Sequence, residues 1–282
     1  MPLHPPPPST FPEIVAAWAQ TVQSVVDLGR TIRPDDAGLA TDCPGWTVQD
    51  QIAHVASAEA GIAGEATPDV DVSGLPHVRS EFGAWIEKLV ESRRGRTLED
   101  VLDELEWRLA ERLEVYRGEG VNGEEPVRGP FGPTTLRDLV TTRTFDVWMH
   151  EQDLREALER PGGLDSPAAA SSVAVLFRGL GRVVAKDAAV PPGHAVVLDL
   201  TGPTVGRDGV RVEAQDGRNV GVPLFTGGTE EHEDVVTTSL SMSTRVAMRL
   251  AGGRRAPEDL HVTVSGDEDV AAAVLTAMAI TP

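Results

Sequence analysis

"RTFDVWMHEQDLREAL", residues 143–158, decides how the rest of the chain is read. Leu139, Val140, Phe145, Val147, Trp148, Met149 and Leu154 give it and its approach the apolar content of a helix that packs inside a bundle. Yet Asp146 and His150 stand four residues apart, on one face, with Cβ atoms about 6 Å apart. Polar groups on so apolar a helix that turn inward need partners.

Working outward, the segments around it are helical for nearly 190 residues. "PEIVAAWAQTVQSVVDLGRTI" carries Ile14, Val15, Trp18, Val22, Val25 and Val26 along one stripe, with Ser9 or Thr10 as N-cap. "CPGWTVQDQIAHVASAEAGIAG" turns at Pro44-Gly45, and Thr47 with Asp50 forms a capping box that starts a helix over 48–63. Helices are expected over 78–94, over 98–117 behind Thr97, from Thr134 or Thr135 to Leu158, and over 166–187. "GEGVNGEEPVRGPFGPT" reads as loop. After "AAVPPGH" the grammar changes. "AVVLDLTG", "GVRVEAQDG", "DVVTTSLSM" and "LHVTVSGD" read as strands, with one helix capped by Ser243 and a last one over "EDVAAAVLTAMAI". The expected domains are a mobile proline-rich lead-in over 1–10, a helical bundle over 11–188 and a smaller α+β domain over 189–282.

The 282 residues, 40% hydrophobic and 24% charged, have globular composition. A net charge of −19 excludes a phosphate-backbone partner and disfavours an anionic membrane surface. The single cysteine, Cys43, implies no internal disulfide. With no basic-then-apolar start and no apolar run judged near the roughly 20 residues that span a bilayer, a cytoplasmic monomer is expected.

The solitary histidine of the second helix, His54, lies among Ile52, Ala53, Val55 and Ala56. Should the two helices be neighbours, His54, Asp146 and His150 supply two imidazoles and a carboxylate, a donor set suited to Zn²⁺ with a position left open. The plain alternatives are a surface ion pair for Asp146 and His150 and a satisfied core residue for His54. Glu151 and Asp153 read either as acceptors behind a ligand or a general base, or as ordinary polar positions. Arg143 reads as a partner of these acids or as an anchor for a substrate carboxylate. Arg254 and Arg255, after a helix end, are candidate anion contacts for a cofactor. Cys43 shows no evident base. Trp46 and Trp148 read as core, and "GGTEEHEDV" (227–235) as an acidic loop.

"CPGWTVQDQIAHVASAE" followed by "TRTFDVWMHEQDLREALERPGG" resembles the mycothiol-dependent maleylpyruvate isomerase family, part of the wider DinB-like metal-binding bundles. Its Trp-[Ser/Thr]-Val-x5-His segment falls on Trp46, Thr47, Val48 and His54. Its acid-x3-His segment falls on Asp146 and His150, with Asp in place of the more usual Glu. "PHVRSEFGAWIEKL" resembles the family's middle helix, and the C-terminal part its sterol-carrier-like α+β domain. The resemblance implies a divalent metal, Zn²⁺ above all, held by His54, Asp146 and His150. It also implies mycothiol as a metal-activated nucleophile acting on a small electrophile, in an isomerase or an S-transferase. A metal hydrolase using bound water and a non-catalytic metal-stabilised binding protein are the other readings of the same site.

Overall fold

A computed structural model describes residues 3–225 and 235–281, so His232 and most of the acidic 227–235 loop lie outside the described residues. The chain divides into two compact units, residues 8–163 and residues 164–281 joined by the N-terminal residues before Pro8.

The first unit is a helical bundle. Its helices are α1 (Phe11–Arg30), α2 (Val48–Ile62), α3 (Glu81–Glu91), α4 (Leu98–Tyr116) and α5 (Leu136–Ala157). Each long helix begins where a side chain satisfies its free N–H groups. Thr10 with Glu13, Thr47 with Asp50, and Thr97 with Asp100 form capping boxes, and Thr135 caps α5 through the Asp138 N–H. α1 packs against α4 and α5, and α2 against the same two, so α1, α4, α2 and α5 form a ring, with α3 laid against α2. The shared core takes Trp18, Val22 and Val25 from α1, Ile52 and Val55 from α2, Val101 and Leu105 from α4, and Val140, Val147 and Leu154 from α5. Gly29 marks a close approach: a Cβ there would lie 2.4 Å from Leu102 Cδ2.

The stretch before α5 is not all loop. Pro126–Gly129 (β1) and Gly132–Thr135 (β2) pair as a short antiparallel hairpin against the start of α5. Its four-residue strands, rich in Gly and Pro, carry no alternation by which a sequence could announce them.

The second unit contains α6 (Pro167–Arg182), continued by a π-helical turn over Val183–Asp187, and a five-stranded sheet ordered β5-β4-β3-β6-β7. The strands are β3 (His194–Thr201), β4 (Val205–Gln215), β5 (Arg218–Pro223), β6 (Val236–Met242) and β7 (Thr263–Ser265). β3 and β6 are parallel, and the other pairs antiparallel. Helices α7 (Thr244–Ala251) and α8 (Glu268–Ala277) complete it. The expected fold class, a helical bundle with a smaller α+β domain, is the one observed.

Four expectations are corrected. The helix over 166–187 belongs to the second unit, where α6 packs on β4, β5 and α7, so the division falls at Gly163–Leu164 and not near 188. The contact that holds it is glycine to glycine: a Cβ at Gly221 of β5 would sit 2.6 Å from Gly181 Cα of α6. Next, the stretch before Pro8 is tied down, since His4 and Val205 exchange N–H···O bonds of 2.8 Å and Leu3 packs over Gly206. Third, a fifth strand joins the four expected: β5 follows β4 through the expected turn, at Asp216-Gly217, where both residues have positive φ, the pairing that fits a two-residue hairpin. Finally, Pro167–Asp187 is long and apolar enough to cross a membrane by length and composition, though 61% of its apolar window is buried in the protein, as in a core helix.

Candidate metal centre

α2 and α5 are neighbours, and His54, Asp146 and His150 meet between them. His54 Nε2 lies 3.2 Å from Asp146 Oδ2, and His150 Nε2 lies 3.6 Å from Asp146 Oδ1. The two imidazole rings are 4.4 Å apart, and one donor atom from each of the three residues falls within 4.8 Å of the others. Donors about 2.1 Å from a tetrahedral Zn²⁺ stand about 3.4 Å from one another, so the spacing and the chemistry of this set both fit the ion. Both histidines are buried, while the Asp146 side chain keeps 33% of its surface exposed. The cluster therefore opens to solvent through the carboxylate.

The surroundings fix each donor. His150 Nδ1 contacts Gln51 Oε1 and lies 3.4 Å from Asp153 Oδ2, which leaves Nε2 toward the shared centre. This is the arrangement by which an acceptor behind an imidazole sets its tautomer and orientation. Gln51 is itself held, its Nε2 donating to Thr41 Oγ1 at 2.7 Å. On the other side Arg143 donates from Nη1 to Asp146 Oδ2 at 2.5 Å and from Nε to Glu59 Oε1 at 2.9 Å. Glu59 also accepts from Trp18 Nε1 at 3.3 Å. Trp46 lies against both imidazoles, with ring centroids 5.0 Å from His54 and 5.7 Å from His150. Its indole N–H donates to Glu87 Oε2 at 2.7 Å, and His77 Nε2 approaches the same oxygen at 3.0 Å.

The electrostatics separate the two histidines. Burial pushes the His54 imidazole down to about 4; Asp146 opposes this, while His150 and Arg143 add to it. His54 is thus a neutral nitrogen donor at physiological pH. Burial also works against a charged His150, but Asp146 and Asp153 hold its pKa well above the usual imidazole value. For Asp146 burial works upward, and Arg143, His54 and His150 together hold its carboxyl well below the ordinary range. Held in that direction, Asp146 is anionic at neutral pH, as a metal-binding carboxylate must be.

The remaining candidates sort by position. Asp153, fully buried, stands behind His150 beside Cys43, whose Sγ is 3.7 Å away. Glu151 faces α1 instead: it accepts from Thr21 and Ser24 and pairs with Arg155 at 2.8 Å. Its place one residue after His150 turns it about 100° around the helix, away from the cluster. The Thr21 and Ser24 contacts engage both of its carboxylate oxygens. Arg143 is buried and takes the pairing reading, its ion pairs being to Glu59 and Asp146. Asp50 caps α2 and pairs with Arg94. Trp148 is core, with its N–H on Gly163 O, whereas Trp46 is a wall of the site and not core. Arg254 and Arg255 follow α7 in the second unit.

Sequence reasoning missed Gln51 and Glu59. Gln51 precedes His54 by three residues and Glu59 follows it by five, but Gln49, Asp50 and Ser57 of the same helix are polar too, and nothing local singles out these two. Cys43 was read as isolated because its neighbours, His150 and Asp153, are more than a hundred residues away.

Residues 18–155 match the family model described as the mycothiol maleylpyruvate isomerase N-terminal domain. No curated protein matches the sequence at a significant level. Among solved structures, the chain is similar to a mycothiol-dependent maleylpyruvate isomerase, with a TM-score of 0.54 and 18% identity. A histidine-to-alanine mutant of a mycothiol-dependent maleylpyruvate isomerase gives 0.57 and 17%. Each alignment covers 92% of this chain and 96% of the other. At such identities these two show the fold, a helical bundle followed by a strand-containing domain over nearly the full length. The matched residues 18–155 include His54, Asp146 and His150, so the bundle that carries them is similar to the mycothiol maleylpyruvate isomerase N-terminal domain.

Proposed function

We propose that His54, Asp146 and His150 hold one divalent cation, Zn²⁺ above all, and that the protein uses it with mycothiol as a thiol-dependent isomerase or S-transferase acting on a small electrophile. The observation that carries this is the convergence of two buried imidazoles and one half-exposed carboxylate at tetrahedral spacing, in a bundle similar to that N-terminal domain. A cation bound there supplies thiol acidity: it stabilises a thiolate near neutral pH, and thiolate is the form that adds to an electrophilic carbon.

The chain's own residues do the rest. Gln51 and Asp153 orient His150 from behind, and Arg143, backed by Glu59, fixes the carboxylate of Asp146. Trp46, anchored on Glu87, covers the two imidazole rings and keeps water from that side. The exposed face of Asp146 marks where a thiol enters. Arg254 and Arg255, which follow α7, are proposed as anion contacts within the second unit.

Addition of the thiolate to an activated double bond, rotation and expulsion of the thiol gives an isomer, whereas a retained carbon–sulfur bond gives a thioether. The test is calorimetric titration of mycothiol into the zinc-loaded protein, followed by product analysis with maleylpyruvate as a first electrophile. The reading expects saturable heat that disappears in His54→Ala, and either an isomerised acid with thiol recovered or a stable thioether. An absence of mycothiol binding to the zinc-loaded protein, with hydrolysis of ester substrates in its place, would turn the assignment to the metal hydrolase.

A further inference from the structure

His150 has a second side. Its Nδ1 faces Asp153 Oδ2 at 3.4 Å, and Cys43 Sγ lies 3.7 Å from the same carboxylate oxygen. One donor atom from each of Cys43, His150 and Asp153 falls within 4.8 Å of the other two, and all three residues are buried. We propose that these residues form a second, closed site for a thiophilic divalent cation, one that competes with the open site for a single ion through the two nitrogens of His150.

The donor chemistry separates the sites. The open set offers two neutral nitrogens and one carboxylate, a formal charge of −1. The inner set offers a thiolate, a nitrogen and a carboxylate, a formal charge of −2, and sulfur selects Zn²⁺ and Co²⁺ over Mg²⁺ or Mn²⁺. Spacings of 3.4 and 3.7 Å are those of donors around one tetrahedral ion, with the longer value where sulfur, about 2.3 Å from zinc, is involved.

The scaffold is built to hold this geometry. Cys43 N–H donates to Thr41 Oγ1 at 3.3 Å, the Trp46 N–H closes a turn on Cys43 O at 3.1 Å, and Gln51 ties the same Thr41 to α2. Asp153 is removed wholly from water, and a carboxylate so placed is stabilised by a cation beside it. An ion in the inner set is held by three buried donors, none of them exposed to solvent. It cannot take a thiol, so its occupancy withdraws the ion from the open set and switches the proposed activity off.

Because Cys43 is the chain's one cysteine, any metal–thiolate signal in the absence of added thiol reports this site alone. Metal-free protein given one equivalent of Co²⁺ should show a sulfur-to-cobalt charge-transfer band that survives in His54→Ala and vanishes in Cys43→Ser. X-ray absorption of the unmutated protein with one equivalent of Zn²⁺ needs no variant: a sulfur neighbour at about 2.3 Å supports the site. A shell of nitrogen and oxygen only, with no charge-transfer band, overturns it. The open site is read apart from this by Mn²⁺ affinity, which His54→Ala should abolish; that loss with no sulfur signal in the native protein leaves the proposed function standing and the inner site refuted.

Discussion

The buried acid–base pair beside the centre gives the sharpest mechanical prediction. Glu59 has no exposed surface and Arg143 is 7% exposed, so neither charge is hydrated. Removing one member of a buried pair typically costs about 3–5 kcal/mol, because the other is left without compensation. In Glu59→Gln the guanidinium keeps Asp146, 2.5 Å from Nη1, as its remaining anion, and the amide oxygen can still accept from Trp18. The lower end, about 3 kcal/mol, is therefore expected. For a unit of this size that corresponds to a fall in midpoint of about 6–12 °C. All five tryptophans lie within residues 8–163, so their fluorescence follows this unit's unfolding. In a cycle with Arg143→Met, the double variant should recover about 2 kcal/mol relative to the sum of the singles. A loss under about 1 kcal/mol for Glu59→Gln, or singles that add to within about 0.5 kcal/mol, would refute the view that this pair is coupled.

Three further predictions concern the first unit twice and the second once. Glu104 has burial working to raise its pKa, but Arg93 and Arg96 hold it below its usual value of 4.5. Its contribution to stability is then complete above about pH 4.5 and is lost as pH falls through the lowered folded-state value; Glu104→Gln should flatten the acid limb of the fluorescence-monitored stability profile below about pH 4.5, while an unchanged limb would contradict the assignment. In the second unit Gly221→Ala should destabilise by about 1–3 kcal/mol because the new methyl group meets the Gly181 backbone. Gly61→Ala in α2, where the methyl meets nothing within 4 Å, should stabilise by about 0.5 kcal/mol. Chemical denaturation of both variants checks the sign, and a destabilised Gly61→Ala or a neutral Gly221→Ala would contradict the packing described.

What the sequence disclosed and what it hid follow from the range of the interactions. The caps of α1, α2, α4 and α5 were legible because Thr10, Thr47, Thr97 and Thr135 act within three residues of themselves. The i, i+4 pair Asp146 and His150 was legible for the same reason. His54 was legible only as a polar residue out of place on an apolar face, and its partners came from the motif it shares with a family. The role of Gln51 and the company of Cys43 were not legible, because each depends on how α2 and the loop before it lie against α5. α6 illustrates the converse: its apolar face is plain, but nothing local says whether that face meets four helices or a sheet. The Gly181–Gly221 contact that decides it joins residues forty apart.

The central claim is that one cation is shared by His54, Asp146 and His150. Elemental analysis of protein purified without chelators tests it most directly. The account predicts about one equivalent of divalent metal per chain, with affinity for Mn²⁺, which does not favour sulfur, lost in both His54→Ala and His150→Ala. Retention of stoichiometric metal and undiminished Mn²⁺ affinity in both variants, each shown to be folded, would contradict it.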